Sequence, residues 1–206
     1  MAKGLFIVLD GLDGSGKSVM IERLKRYLDS KGKGYRILAT REPTDGEYGR
    51  QARELLKREK DPMANAQKCL ELYVKDRKEH LEKTVLPFLK KEGSNIVLCD
   101  RYYYSTLAFQ HTQGLSWENV LNANKGFEKP DVAFILDVPP ETALERISKS
   151  RNQKEKFEQL EFMKKLRKNF LQLPELLKED TIRIIDASKG KEEVFKQLKE
   201  EMDKLL

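Results

Sequence analysis

Gly11-Leu12-Asp13-Gly14-Ser15-Gly16-Lys17-Ser18 sets three glycines, a lysine and two hydroxyls within eight residues, directly behind the apolar run "GLFIVLD" at 4–10. The stretch matches G-x-x-x-x-G-K-[ST], a loop whose chemistry is phosphate binding. Glycines let successive backbone amides turn inward, and a helix starting behind them adds its positive end beneath the anion. Lys17 can then reach β and γ phosphates, and the Ser18 hydroxyl can ligate Mg²⁺. A glycine-rich turn with an incidental lysine would need neither a buried strand before it nor an amphipathic helix after it, and the sequence has both.

A phosphate loop does not by itself choose among switches, motors, repair machines and small-molecule kinases. Guanine switches carry an N-K-x-D base reader, and the nearest run, Asn124-Lys125-Gly126-Phe127, lacks its aspartate. Motors need more chain than remains. A second group of residues is more telling: Asp100-Arg101-Tyr102 follows the strand-like run "NIVLC", at the kind of strand end where open α/β sheets keep their ligands. Arginine grips phosphate with two prongs. Arg101 is therefore a candidate clamp for a phosphoryl acceptor that is itself a phosphate, and Asp100 can hold Mg²⁺ through water or support Lys17.

These residues need a frame. The run at 4–10 is nearly continuous in apolar, branched residues, the pattern of a strand covered on both faces. Val19, Met20, Ile21, Leu24, Tyr27 and Leu28 recur with helical spacing up to "KGKG". "YRILAT" at 35–40, "NIVLCD" at 95–100, "DVAFILDV" at 131–138 and "TIRIIDA" at 181–187 are four further strands. A long helical pattern over 64–91 is bent or interrupted at Pro87. Pro139 and Pro140 open another helix, where a missing amide matters least. The polar, charged stretch at 150–159 is either a solvated helical arm or a flap. Five strands alternating with helices predict a doubly wound α/β sheet with ligands at the strand C-termini.

The bulk numbers fit one domain over 1–206. Forty basic against 34 acidic residues give +6, which suits an anionic partner, although a lysine-rich solvated surface accounts for most of that charge. No basic run with interleaved aromatics marks a nucleic-acid groove, so nucleotides rather than nucleic acid are the expected partners. No signal-peptide layout or membrane-length apolar stretch is present, and a cytoplasmic protein without membrane attachment is expected. Cys69 and Cys99 lack metal-type spacing and read as small core or helix residues.

The order of further blocks makes a resemblance specific. "GLDGSGKS", "TREPTDGEYGRQARELL", "LELYVKDRKEHLEKTVLPFLKKEG", "DRYYYSTLAFQ", "PDVAFILDVPPETALERI", "KFEQ" and "IRIIDAS" span nearly the whole chain. In this order they resemble the thymidylate kinases, which use ATP to phosphorylate dTMP to dTDP. The resemblance implies a three-layer phosphate-loop kinase fold, a five-stranded parallel sheet, a lid over about 147–158, Mg²⁺ and ATP as cofactor and donor, and a homodimer. It implies that residues 11–18 (Gly11, Leu12, Asp13, Gly14, Ser15, Gly16, Lys17, Ser18) hold ATP, with Ser18 and Asp100 at the metal and Asp13 a further metal candidate. Asp13 would also lie near the acceptor's phosphate and 3′-OH, and Arg101 would hold that phosphate. Tyr73 takes the place of the aromatic that stacks on thymine, and Arg77 that of the arginine reading its O4 edge. Ser105, Thr106, Phe109 and Gln110 would line the acceptor pocket with Arg41 and Pro43, Phe109 packing near C2′ and favouring deoxyribose.

Family members draw a transition-state arginine from the phosphate loop or the lid. Leu12, Asp13, Gly14 and Ser15 carry no cation, so the lid is expected to supply it, from Arg151 in preference to Arg146. Val19 after "GKS" and "KEKFE" in place of an Asp-Arg pair before Phe-Glu depart from the family pattern. Two rival readings fit the same residues: a kinase of a different or broader pyrimidine monophosphate range, or a nucleotide-dependent binding module.

Overall fold

The computed structural model describes residues 4–58, 64–150 (backbone only over 148–150) and 160–206. Five strands form one sheet: β1 (Leu5–Gly11), β2 (Arg36–Arg41), β3 (Asn95–Asp100), β4 (Val132–Asp137) and β5 (Ile182–Asp186). Every neighbouring pair is parallel, in the order β2-β3-β1-β4-β5. Successive side chains of a strand point to opposite faces, yet Ile7, Val8 and Leu9, Val97, Leu98 and Cys99, and Ala133, Phe134 and Ile135 are all buried. Both faces of the three central strands are therefore covered, as their continuous apolar runs predict. The outer strands β2 and β5 are more exposed, with Ile184 of β5 open to solvent.

Nine α-helices are described among these residues, beginning with α1 (Lys17–Ser30), α2 (Glu47–Arg58) and α3 (Ala66–His80). Met20, Ile21, Leu24 and Leu28 form the buried stripe of α1. Val19, counted with that stripe in the sequence pattern, is instead exposed. It lies at helical spacing from Glu22, Arg23 and Arg26, on the polar side.

The long pattern over 64–91 is broken, as Pro87 predicts. After α3 comes one wide π turn (Leu81–Val85) and then α4 (Leu86–Leu89). Proline lacks an amide and crowds the carbonyl four residues back. The widened turn, in which the Leu86 amide bonds the Leu81 carbonyl, takes up that misfit ahead of the ring.

The remaining helices are α5 (Tyr103–Thr112), α6 (Trp117–Asn124), α7 (Pro140–Ser150), α8 (Leu160–Leu176) and α9 (Lys191–Asp203). α1 packs on β1, β2 and β3 and touches α9, while α5 and α8 pack together against β1, β4 and β5. Cys69 and Cys99 are free and buried. No helix among the described residues is long and apolar enough to cross a membrane. The lid expected over 147–158 passes, from residue 151 on, outside the described residues, and Arg151 with it.

This topology fixes where chemistry can happen. From β1 the chain turns first to β2 and β3 on one side and later to β4 and β5 on the other, so a crevice opens beyond the C-terminal end of β1. The register sets Arg41 beside Asp100, Asp100 beside Leu9, and Gly11 beside Leu136. α1 is the helix whose start meets that crevice, and Leu24 is its fully buried anchor. Leu24→Ala is expected to destabilise the fold by about 2–5 kcal/mol in denaturant unfolding. A change below about 1 kcal/mol would contradict the packing of α1 described here.

Candidate active site

The phosphate loop is shaped by two glycines that no other residue can replace without movement. Gly11 has φ +133° and a Cβ there would lie 2.6 Å from the Leu136 carbonyl oxygen; Gly14 has φ +80° and its Cβ would lie 2.5 Å from that of Ala143. Close approach to β4 and α7 and a left-handed backbone both demand glycine. α1 then starts behind Gly16, and its first turn carries no acidic side chain. The free amides and positive end of that helix form an anion cradle.

Lys17 is buried at the loop's end, its ammonium donating to the carbonyl oxygens of Gly11 at 3.1 Å and Leu12 at 2.8 Å. Burial, reinforced by the nearby Arg101 charge, pushes its pKa down, against the pull of Asp100, Asp13 and Asp10. The Ser18 hydroxyl donates to Asp100 Oδ2 at 2.7 Å. The two oxygen groups expected at the metal therefore stand side by side at the loop mouth. They form one wall of a cleft of about 400 Å³ that Thr40, Arg41, Thr44 and Asp45 complete.

Arg101 has the left-handed φ of +70°, rare for a residue with a side chain. Its amide donates to the Leu9 carbonyl at 2.9 Å and its carbonyl accepts from the Cys99 thiol at 3.1 Å. This conformation turns the side chain back across β1. The guanidinium donates to the Gly11 carbonyl at 3.2 Å, to Ser105 Oγ at 2.7 Å and to the Asp13 carboxylate. Its cationic carbon lies 5.6 Å from the Phe109 ring centre. Burial works against its charge, but Asp13, Asp10 and Asp100 outweigh that and hold its pKa above the ordinary arginine value.

Arg77 lies one α-helical turn after Tyr73 and is 2% exposed. Its Nε donates to Glu42 at 2.8 Å, its Nη2 to Thr106 Oγ1 at 2.8 Å and its Nη1 to Asn124 Oδ1. The Tyr102 and Phe127 rings lie 5.1 and 5.6 Å away. Three of five guanidinium N–H groups thus have protein acceptors. Glu42 also bonds His80 Nδ1 at 3.0 Å, while Asp76 accepts from the Thr44 amide at 2.7 Å and holds the loop after the cis Glu42–Pro43 peptide.

The family model described as "Thymidylate kinase" matches residues 9–198. The chain belongs to the thymidylate kinase family. A protein of Pyrococcus abyssi described as "Probable thymidylate kinase" is 38% identical over 200 residues, covering 95% of this chain and 94% of that one. A "Thymidylate kinase" of Caldicellulosiruptor saccharolyticus is 36% identical over 209 residues, covering 99% and 98%. One of Desulfotalea psychrophila is 39% identical over 164 residues, covering 79% and 78%.

Within this thymidylate kinase family member the residues singled out by sequence fall into distinct settings. Asp13, Lys17, Ser18, Asp100, Arg101, Ser105 and Phe109 are joined in one set of contacts at the end of β1. Thr106 is tied to Arg77, Gln110 is buried with its amide nitrogen on Gln113 at 2.8 Å, and Tyr73 is half-buried on α3. Arg41 is exposed and paired with Asp45 at 3.1 Å. Arg146 donates to the carbonyls of Gly14, Ala187, Ser188 and Lys189, fastening the loop to the end of β5.

Three partners were not singled out for the site: Asp10, which bonds the Arg101 turn, Glu42, and Asn124 as an acceptor for Arg77. Asp10 had one sequence signal, a carboxylate ending an otherwise apolar strand. Asn124 had none. Gly14→Ala is expected to strain the loop by about 1–2 kcal/mol from its left-handed φ alone and to weaken binding of a fluorescent ATP analogue. Unchanged analogue affinity would contradict the reading of the loop as an ATP phosphate cradle.

Proposed function

We propose that the chain transfers the γ phosphate of ATP to dTMP, giving dTDP and ADP, within a single phosphate-loop kinase domain. The observation that carries this reading is the arginine of a second anion clamp, Arg101, held 3.2 Å from the Gly11 carbonyl of the first. A donor phosphate on the loop and an acceptor phosphate on Arg101 would meet at the end of β1. Family membership, with relatives named thymidylate kinase, supports dTMP as the acceptor.

In this reading the loop amides and Lys17 hold the β and γ phosphates of ATP. Arg101 aims an oxygen of the dTMP phosphate at the γ phosphorus, releasing Asp13 as the acceptor arrives. That oxygen is already mostly ionised at neutral pH, its second pKa being about 6, so no side chain need act as general base. Asp13 is then placed to meet the acceptor's 3′-OH. Positioning in line and neutralising charge do the catalytic work.

The donor set fits Mg²⁺. Among the described residues no cluster of three or more His, Cys, Asp and Glu forms a dedicated cage, while Ser18 and Asp100 offer hard oxygens beside the loop. Mg²⁺ is usually bound by one or two protein oxygens together with phosphates and water. When bound it would neutralise the phosphate charge during transfer.

For the base, Tyr73 supplies a stacking face and Arg77 a donor toward O4, where cytosine would present an amino group. Thr106, Gln110, Pro43 and Arg41 belong to the same proposed pocket. Phe109, whose ring centre lies 5.6 Å from the Arg101 guanidinium carbon, is assigned the place beside C2′ by the family resemblance, leaving little room for a 2′-hydroxyl. The family resemblance also supports a homodimer in the cytoplasm.

Arg101→Ala is expected to lower kcat/KM for dTMP by about 100- to 1,000-fold with ATP binding largely retained. Equal loss of both would overturn the clamp. Ser18→Ala is expected to raise the Mg²⁺ concentration for half-maximal transfer at least about tenfold, read by Mg²⁺ titration. An unchanged Mg²⁺ requirement would remove Ser18 from the metal.

A further inference from the structure

Asp10 is wholly buried at the end of β1, and four donors converge on its carboxylate. Oδ1 accepts from the Gly11 amide at 2.8 Å and from Ser105 Oγ at 2.6 Å. Oδ2 accepts from the amides of Tyr102 at 3.1 Å and Ser105 at 2.9 Å. A carboxylate has room for all four; an amide has not, because its NH₂ would face donors on one side.

The position of these donors is what matters. Tyr102 and Ser105 amides frame the turn that leads Arg101 out of β3 in its left-handed conformation. Ser105 Oγ spends its one proton on Asp10 and so presents a lone pair to Arg101 Nη1, 2.7 Å away. The Arg101 guanidinium itself lies 3.8 Å from Asp10 Oδ1. The Gly11 amide, on the same carboxylate, starts the phosphate loop. Burial pushes the Asp10 pKa up, and Arg101, Ser105 and Lys17 pull it back.

We propose that Asp10 is a positioning residue for phosphoryl transfer: it fixes the 101–105 turn and the Ser105 hydroxyl so that Arg101 points at the acceptor phosphate. This rests on the reading of Arg101 as acceptor clamp. Asp10 is wholly buried, with its carboxylate filled by protein donors and closed to both substrates. Its effect therefore runs through Arg101 and falls on the acceptor side of the kinetics.

The test is a mutant cycle on the full chain, with dTMP and ATP kinetics and thermal unfolding measured for each variant. Asp10→Asn is expected to lower kcat/KM for dTMP by about 100-fold, as misplacement of a catalytic group does, with KM for ATP little changed. In an Arg101→Ala background the same substitution should cost under about threefold, because its route to the acceptor is gone. Ser105→Ala, which keeps the Asp10 charge, should cost about tenfold on the acceptor side, and also lose its effect without Arg101.

Equal effects of Asp10→Asn in both backgrounds, or equal damage to ATP and dTMP parameters, would overturn the proposal in favour of a merely structural aspartate. If Asp10→Asn does not fold, the Ser105→Ala pair decides on the same terms. Arg101→Ala with intact dTMP kinetics would overturn the clamp itself. Arg101→Ala that abolishes acceptor use while Asp10→Asn and Ser105→Ala do not would overturn the positioning role alone.

Discussion

The contact between Arg101 and the phosphate loop is the constraint on which the site depends. Lys17 and Arg101 donate to the same carbonyl oxygen, that of Gly11, at 3.1 and 3.2 Å. One oxygen thus ties the lysine of the phosphate loop to the arginine at the end of β3. The arrangement requires a left-handed backbone at Arg101, which costs about 1–2 kcal/mol for a residue with a Cβ. Bonds from its amide to Leu9, from Cys99 to its carbonyl and from the next turn to Asp10 offset that cost. The strand order makes them possible, because only neighbouring β1 and β3 can bring residues 9–13 and 99–105 together.

A second buried charge network joins the segment after β2 to α3, α5 and α6. Glu42, at the end of β2, bonds both Arg77 and His80 of α3, and His80 in turn contacts Thr40 Oγ1 at 2.8 Å. A buried arginine is costly unless its charge is paired and its donors are used. Here Glu42, Asn124 and Thr106 do both from three different elements. The consequence is a guanidinium held by three acceptors, with the Tyr102 and Phe127 rings 5.1 and 5.6 Å away. Preorganisation of that kind suits a group proposed to distinguish a carbonyl from an amino group on a base.

How much of this was legible in the sequence depends on the range of the interaction. The phosphate loop is a local motif between a buried strand and an amphipathic helix, so Gly11–Ser18 could be read directly. The central strands were equally plain, because burial on both faces leaves a continuous apolar run such as "VAFIL". Arg101 was singled out through its place at a strand end. Its left-handed backbone and its reach to Gly11 were not, since they arise from pairing between residues about 90 apart. Val19 was misplaced because apolar character alone does not decide which side of a helix faces the sheet. Asn124 was noticed for a guanine motif it does not complete; its bond to Arg77 is a tertiary contact with no local signal.

The most direct measurement is phosphoryl transfer from ATP·Mg²⁺ to dTMP, dUMP, dCMP, UMP and AMP, with each diphosphate product quantified. Clear preference for dTMP is expected if a phosphate clamp on Arg101, base reading by Tyr73 and Arg77, and sugar exclusion by Phe109 act together. A flat profile across the pyrimidines would contradict the base reading, and absence of transfer to every acceptor would contradict the proposed pairing of a donor loop with an acceptor clamp.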